Sequence, residues 1–232
     1  VKRFEHTAMT EGAPVLSVRD LHFPALPPMT FDIRRGEIAF LRDENYNTGR
    51  LLHECFLSDR GWTSGFFRLN GRLYQPGDLG RVIGSEIGIQ IERPDRPGGV
   101  LFDNMTALDN LCTSLIPKAG QHIIRKKIVS SILSEALRWF PKEMLLQPLS
   151  SWPYPERLRF SYYRWYLLNP RLLICFFPFA GQESTHHKMI IDLLVLCAQR
   201  GMAVWIISSG IDAICEKTDN EEFLRRLHYL NK

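Results

Sequence analysis

Apolar residues along this chain change their spacing several times, and each spacing predicts a different kind of element. Val15-Leu16-Ser17-Val18-Arg19 alternates with period two, as a half-buried strand does. His22-Phe23 follows, then a turn rich in proline (Pro24, Pro27, Pro28), and Thr30-Phe31-Asp32-Ile33 is a second such strand. Gly65 to Leu73 alternates again, with Asn70-Gly71 placed as a hairpin turn. Ile38-Ala39-Phe40-Leu41 is a short apolar strand, and Leu172 to Phe177 and Ala203 to Ile207 are apolar without alternation, which predicts strands covered on both faces. Ile87-Gly88-Ile89-Gln90-Ile91 is another short apolar strand.

Other stretches repeat at helical spacing. Between residues 121 and 140, Ile124, Ile128, Ile132, Ala136 and Phe140 share one face, with Leu133 and Leu137 beside it. Thr106 with Asp109 three residues later predicts a capped helix start before Leu108, Leu111 and Leu115. Further helices are expected over 156–168, which is crowded with aromatics, over 188–199, where Gly201 ends the pattern, and over the charged tail 221–232. Strands alternating with helices make the second half α/β, and the early strands make an antiparallel β layer feeding a parallel core. Residues 1–13 read as a linker, and 14–232 as one domain with a helical arm over roughly 100–160.

Composition narrows this picture only a little. The 232 residues, 45% hydrophobic and 11% aromatic, suffice for a sizeable core. A net charge of +4 with both signs spread along the chain argues for no nucleic-acid partner. No apolar run approaches the roughly 18 residues of a membrane span, and no signal peptide opens the chain. A start at Val1 reads as a domain cut from a longer protein. Cys55, Cys112, Cys175, Cys197 and Cys215 lack paired spacing and read as reduced thiols, without a metal set. His186-His187 with Glu183 reads as a solvated helix start.

The chemistry concentrates in GEIAFLRDENYNTGRLLHECFL, from Gly36 to Leu57. A short apolar strand, a polar loop and a helix entered through Gly49-Arg50 have the layout of a phosphate-binding loop. Its candidate nucleotide-binding residues are Asn45, Asn47, Thr48, Gly49, Arg50 and Leu51. Against the pattern G-x-x-x-x-G-K-S/T, Glu44 stands at the first glycine, Arg50 at the lysine and Leu51 at the hydroxyl. Only Gly49 and a cation remain. Asp43 and Glu44 add negative charge where an anion should sit, and Leu51 offers magnesium no oxygen.

In order along the chain come VLSVRDL, FDIRRGEI, the altered loop, GIQIERPDRPGGVLFDNMTALDNL, RWYLLNPRLLI and AVWIISSGIDAI. This order resembles the nucleotide-binding domain of ABC transporters, most of all the second ATPase half of tandem carbohydrate-importer proteins. The resemblance implies an α/β, P-loop NTPase-like ABC ATPase core with an antiparallel β layer and a helical arm subdomain. It also marks what is missing. Phe176 stands where the magnesium aspartate is expected, and Phe177 where a glutamate would polarise the attacking water. Phe176-Phe177 reads instead as apolar filling of the strand. The loop glutamine or glutamate falls on Pro94, followed by a matching Asp95-Arg96, while Gln90 lies four residues early. The signature glycines are replaced within Leu149 to Glu156 and the D-loop aspartate by Glu183, while the switch histidine falls at Ser209, where the resembled subgroup often carries serine.

The expected function is a degenerate, non-hydrolysing ATP-binding domain of a carbohydrate transport system. It would hold ATP weakly at most, without magnesium, and have no catalytic residue. Its partners would be a competent ATPase domain, as tandem half or dimer, and a permease at the cytoplasmic membrane face. Phe102, Met105 and Leu108 are the expected permease contacts. Two rivals stay open: an atypical ATPase using Arg50, and a transport-independent interaction scaffold.

Overall fold

The computed structural model describes residues 12–23, 26–57, 62–75, 78–92, 101–118, 126–181 and 183–230. Four strands, β1 (Leu16–His22), β2 (Met29–Ile33), β4 (Ser64–Leu69) and β5 (Arg72–Tyr74), form an antiparallel sheet in the order β2-β1-β4-β5. Asn70 and Gly71, at φ 48° and 77°, make the expected tight turn between β4 and β5. The other five, β3 (Ile38–Arg42), β6 (Ile87–Ile91), β7 (Leu172–Phe176), β8 (Ala203–Ser208) and β9 (Leu227–Tyr229), form a parallel sheet ordered β6-β7-β8-β3-β9. Both layers match the sequence pattern except at β9.

The unbroken apolar runs are explained by a two-sided burial. On one face Ala39, Leu41, Ile174, Phe176, Trp205 and Ile207 pack against the antiparallel layer and against Leu52 and Phe56 of α1 (Asn47–Leu57). On the other, Ile38, Phe40, Leu173, Cys175, Val204 and Ile206 meet α5 (Tyr154–Leu168) and α6 (Ser184–Gln199). Neither face is left to water, so no polar alternation is needed.

The helical arm has its own core. There α2 (Ala107–Lys118), α3 (Lys126–Ala136), the short α4 (Lys142–Leu145) and the outer face of α5 enclose Leu111, Ile132, Phe140, Trp152, Phe160 and Tyr163. The start of α2 is capped as expected: Thr106 Oγ1 accepts from the Asp109 N–H at 3.1 Å and donates to Asp109 Oδ2 at 2.7 Å. The helix expected over 121–140 is shorter, ending at Ala136, and Leu137 of its stripe is exposed. Its first residues, 121–125 with Ile124, lie outside the described residues, as do 1–11 of the expected linker.

The tail corrects the sequence reading. Two short helices, α7 (Ile211–Lys217) and α8 (Glu221–Arg226), lead into it, and α8 stops where Leu227–Tyr229 becomes β9, parallel to β3. The charges that suggest a longer helix pair locally, Glu222 with Arg225 and Arg226. Beyond them the β3 edge needs hydrogen-bond partners: Leu227 is buried, Tyr229 sets its ring edge on Phe40, and the Leu230 N–H donates to the Phe40 carbonyl. Pairing wins over helical continuation.

Cys112, Cys175 and Cys197 are buried free thiols and Cys215 is half-buried. Burial pushes Cys215 up to about 11 and Cys197 up to about 12, and raises Cys112 and Cys175. An unfolded chain releases thiol protons from about pH 9, while the folded one retains them, so stability falls as pH rises. The buried Arg164, lowered by desolvation to about 10, acts in the opposite sense only above that value. Urea midpoints are therefore expected to fall between pH 9 and pH 10; a flat profile there would contradict this account.

Candidate functional site

Where β3 ends, the chain turns through Asp43 to Tyr46 and enters α1. The Asp43 N–H donates to the Ser208 carbonyl at 2.9 Å, which ties the loop to the end of β8. Its carboxylate is buried, 4% exposed, and accepts from the backbone N–H groups of Thr48 at 3.2 Å and Gly49 at 2.7 Å. Both donors belong to the first helical turn, whose N–H groups have no acceptor within the helix. The positive end of the helix dipole faces the same carboxylate. The anion at this helix terminus is therefore the chain's own.

A ring closes the cradle. Phe177 lies one residue past β7 at φ 54°, with its N–H donating to the Ile207 carbonyl at 2.8 Å. Gly49 lets that ring approach: a Cβ there would stand 2.4 Å from Phe177 Cζ and 3.2 Å from Asp43 Oδ2. The Tyr46 ring lies 5.0 Å from that of Phe177, and Ser209 Oγ donates to Tyr46 Oη at 3.3 Å. Filling of the strand is thus the role of Phe176 alone, which is fully buried beside His53 of α1. Phe177 is a lid over the loop.

The other loop residues face away. Asn45 and Asn47 are exposed, Thr48 and Leu51 are half-buried, and Arg50 turns outward to Glu54 at 3.1 Å. Arg42, at the strand end, is held between Glu44 and Asp212. Beside the loop, Leu26, Pro27, Phe31, Leu41 and Thr48 line a hollow of about 180 Å³. Ligand pockets are typically about 300–1,000 Å³. Phe23, just past β1, is buried in the core.

The segment expected to carry the signature is also rebuilt. Leu149–Ser151 forms one tight turn, and the Trp152 N–H returns to the Leu149 carbonyl at 3.1 Å. The start of α5 is flanked by Pro153 and Pro155, neither of which has an N–H to offer. Gln90 points into the interior, donating to Glu92 at 2.6 Å and Ser161 at 3.1 Å and accepting from the Trp165 indole at 2.8 Å. It fixes the sheet to α5. Pro94, Asp95 and Arg96 lie outside the described residues.

Of the expected permease contacts, Phe102 is 55% exposed and Met105 half-buried, but Leu108 is buried in the arm core. At helical spacing Leu108 and Leu111 necessarily share the inward side of α2, so Leu108 offers no surface to a partner. His186 meets the Tyr154 ring edge to face, and His187 reaches the Phe179 carbonyl. No cluster suited to a metal ion and no helix able to cross a membrane occurs among the described residues. Sequence reasoning missed the Tyr46–Phe177 lid, because no local pattern joins residues so far apart; the acidic loop signalled negative charge there without separating Asp43 from Glu44.

No protein-family model matches the chain. It is 26% identical over 219 residues to a ribose/galactose/methyl galactoside import ATP-binding protein of Pseudomonas syringae pv. tomato, covering 90% of this chain and 40% of that one. It is 25% identical over 231 residues to the fructose import ATP-binding protein FruK of Bifidobacterium longum, covering 93% and 42%. The chain thus spans about 40% of the length of these relatives. Among solved structures, CbiO1 of Clostridium perfringens, part of an ABC transporter complex, superposes with a TM-score of 0.72 at 18% identity, covering 94% of this chain and 85% of that one. A dimeric bacterial ABC transporter cassette gives 0.66 at 16% identity, covering 93% and 94%.

Proposed function

Starting from the ABC ATPase fold and the likeness to sugar-import ATP-binding proteins, we propose that this chain is a non-hydrolysing domain of a carbohydrate-type import system. Its role is structural or regulatory, beside a competent ATPase domain and a membrane permease at the cytoplasmic face. The observation that carries this reading is the Asp43 carboxylate on the Thr48 and Gly49 N–H groups, under the Phe177 ring. Those amides are the donors a phosphate would need. ATP with magnesium does not fit the residues present: the donors are engaged, and Leu51, Phe176 and Phe177 bring no oxygen to a metal. A solved cassette of this fold is a dimer, and in such a pair a chain that holds no nucleotide has a role in shaping its partner's site.

The atypical-ATPase reading, with Arg50 as the phosphate cation, has less support because Arg50 faces solvent beside Glu54. Calorimetric titration of ATP, with and without magnesium, separates the two. No heat and no thermal shift at millimolar ATP is the expected result. Magnesium-dependent binding would overturn it.

A further inference from the structure

At the opposite end of the parallel sheet, where β6, β7 and β8 begin, lies a polar cleft of about 560 Å³. Its wall carries three arginines, Arg35, Arg171 and Arg200, together with Glu86, Ser85 and Asn70. None of the three guanidinium groups is paired with a carboxylate among the described residues.

Two of these arginines are held in place. Arg200 Nη1 donates to the Tyr166 carbonyl at 2.8 Å while its guanidinium lies 4.5 Å over the Tyr166 ring. Arg35 packs closely on Gly201, where a Cβ would come within 2.2 Å of Nε, and the missing side chain of Gly201, at φ 88°, makes the approach possible. Arg171 leads directly into β7, so its backbone is fixed by the sheet. Three positive charges against Glu86 leave an excess of two, which suits a dianion. Planar guanidinium forks match phosphate oxygens in pairs. Glu86, Ser85 and Asn70 add acceptors that would suit hydroxyl groups on the same ligand. The volume falls within the ~300–1,000 Å³ typical of small-molecule sites.

We propose that this cleft binds a small phosphomonoester bearing hydroxyl groups, the chemistry of a sugar phosphate. The site is remote from the Asp43 loop and does not depend on how that loop is read.

The test is heteronuclear NMR or calorimetric titration of the protein with glucose 6-phosphate, inorganic phosphate and glucose in parallel. Glucose 6-phosphate is expected to bind more tightly than inorganic phosphate, with glucose inert. Arg171→Ala and Arg35→Ala should each weaken it by at least about tenfold, because a charge-assisted hydrogen bond is lost. Arg171→Lys, keeping the charge without the fork, should fall between. Arg171 is exposed, and an unchanged melting temperature of its variants keeps the comparison interpretable. Absence of binding, equal binding of inorganic phosphate, or binding unaffected by both alanine variants would each overturn the proposal.

Discussion

Asp43→Ala is expected to destabilise the protein and, at the same time, to make it respond more strongly to sulfate or phosphate than the native chain does. Removing the carboxylate leaves the Thr48 and Gly49 N–H groups without an acceptor at a buried helix start. Loss of a helix cap costs about 0.5–2 kcal/mol, and loss of hydrogen bonds to a charged group about 1.5–3 kcal/mol. For a chain of this size that corresponds to a drop in Tm of about 3–8 °C. An inorganic anion can then take the vacated position on the helix dipole, and sulfate should restore part of the loss in the variant, beyond the stabilisation it gives the native chain. Asp43→Asn, whose amide oxygen still accepts, should lose less and gain less. Adding Phe177→Ala to Asp43→Ala should strengthen the sulfate response by lifting the ring off Gly49. Equal stabilisation of native and variant protein by sulfate would show that Asp43 does not occupy the anion position.

Gly65→Ala carries the largest expected loss of stability. Gly65 has φ 90°, and a Cβ there would lie 2.2 Å from the Asp20 carbonyl oxygen and 2.5 Å from that of Arg19, both backbone atoms. The register between β1 and β4 shifts at this point, between Arg19 and His22, and Asp20 itself takes φ 46°. A side chain must push the two central strands of the antiparallel layer apart or move the bulge. The expected cost is about 3 kcal/mol or more, since backbone strain and steric clash act together. Gly71→Ala is the control: its φ of 77° is similarly left-handed, but no atom lies within 4 Å of the added Cβ. That change should cost only about 1–2 kcal/mol, the intrinsic price of the conformation. Urea unfolding of both variants decides the point, and equal losses would mean that the close approach across the bulge is not what Gly65 serves.

Much of the architecture is legible along the chain because the relevant signals are local. The apolar runs at Leu172 and Ala203 foretell parallel strands buried on both faces, and the Asn70-Gly71 dipeptide foretells its hairpin. Thr106 and Asp109 announce the start of α2 in the same way. Each depends on a few neighbouring residues whose period or backbone preference is intrinsic. The tail shows where this stops. Glu221 to Lys232 has the charge pattern of a helix, and only the unfilled edge of β3 turns Leu227–Tyr229 into a strand.

The candidate site divides along the same line. By itself the sequence determined that a strand, loop and helix follow one another from Ile38 to Leu57, and it reads Glu44, Leu51, Phe176 and Phe177 at the positions of groups a phosphate site would use. It also placed negative charge in that loop. Which carboxylate meets the helix start, and what covers it, only the tertiary structure decided. Asp43 reaches the amides because the turn after β3 folds it back under α1, and Phe177 reaches Gly49 because β7 lies two strands from β3 in the sheet. The same holds for Arg35, Arg171 and Arg200, which come from distant parts of the chain and meet because their strands begin at one end of the parallel sheet. Contacts of that kind are set by strand order and register, which join residues far apart and leave no periodic trace in the sequence.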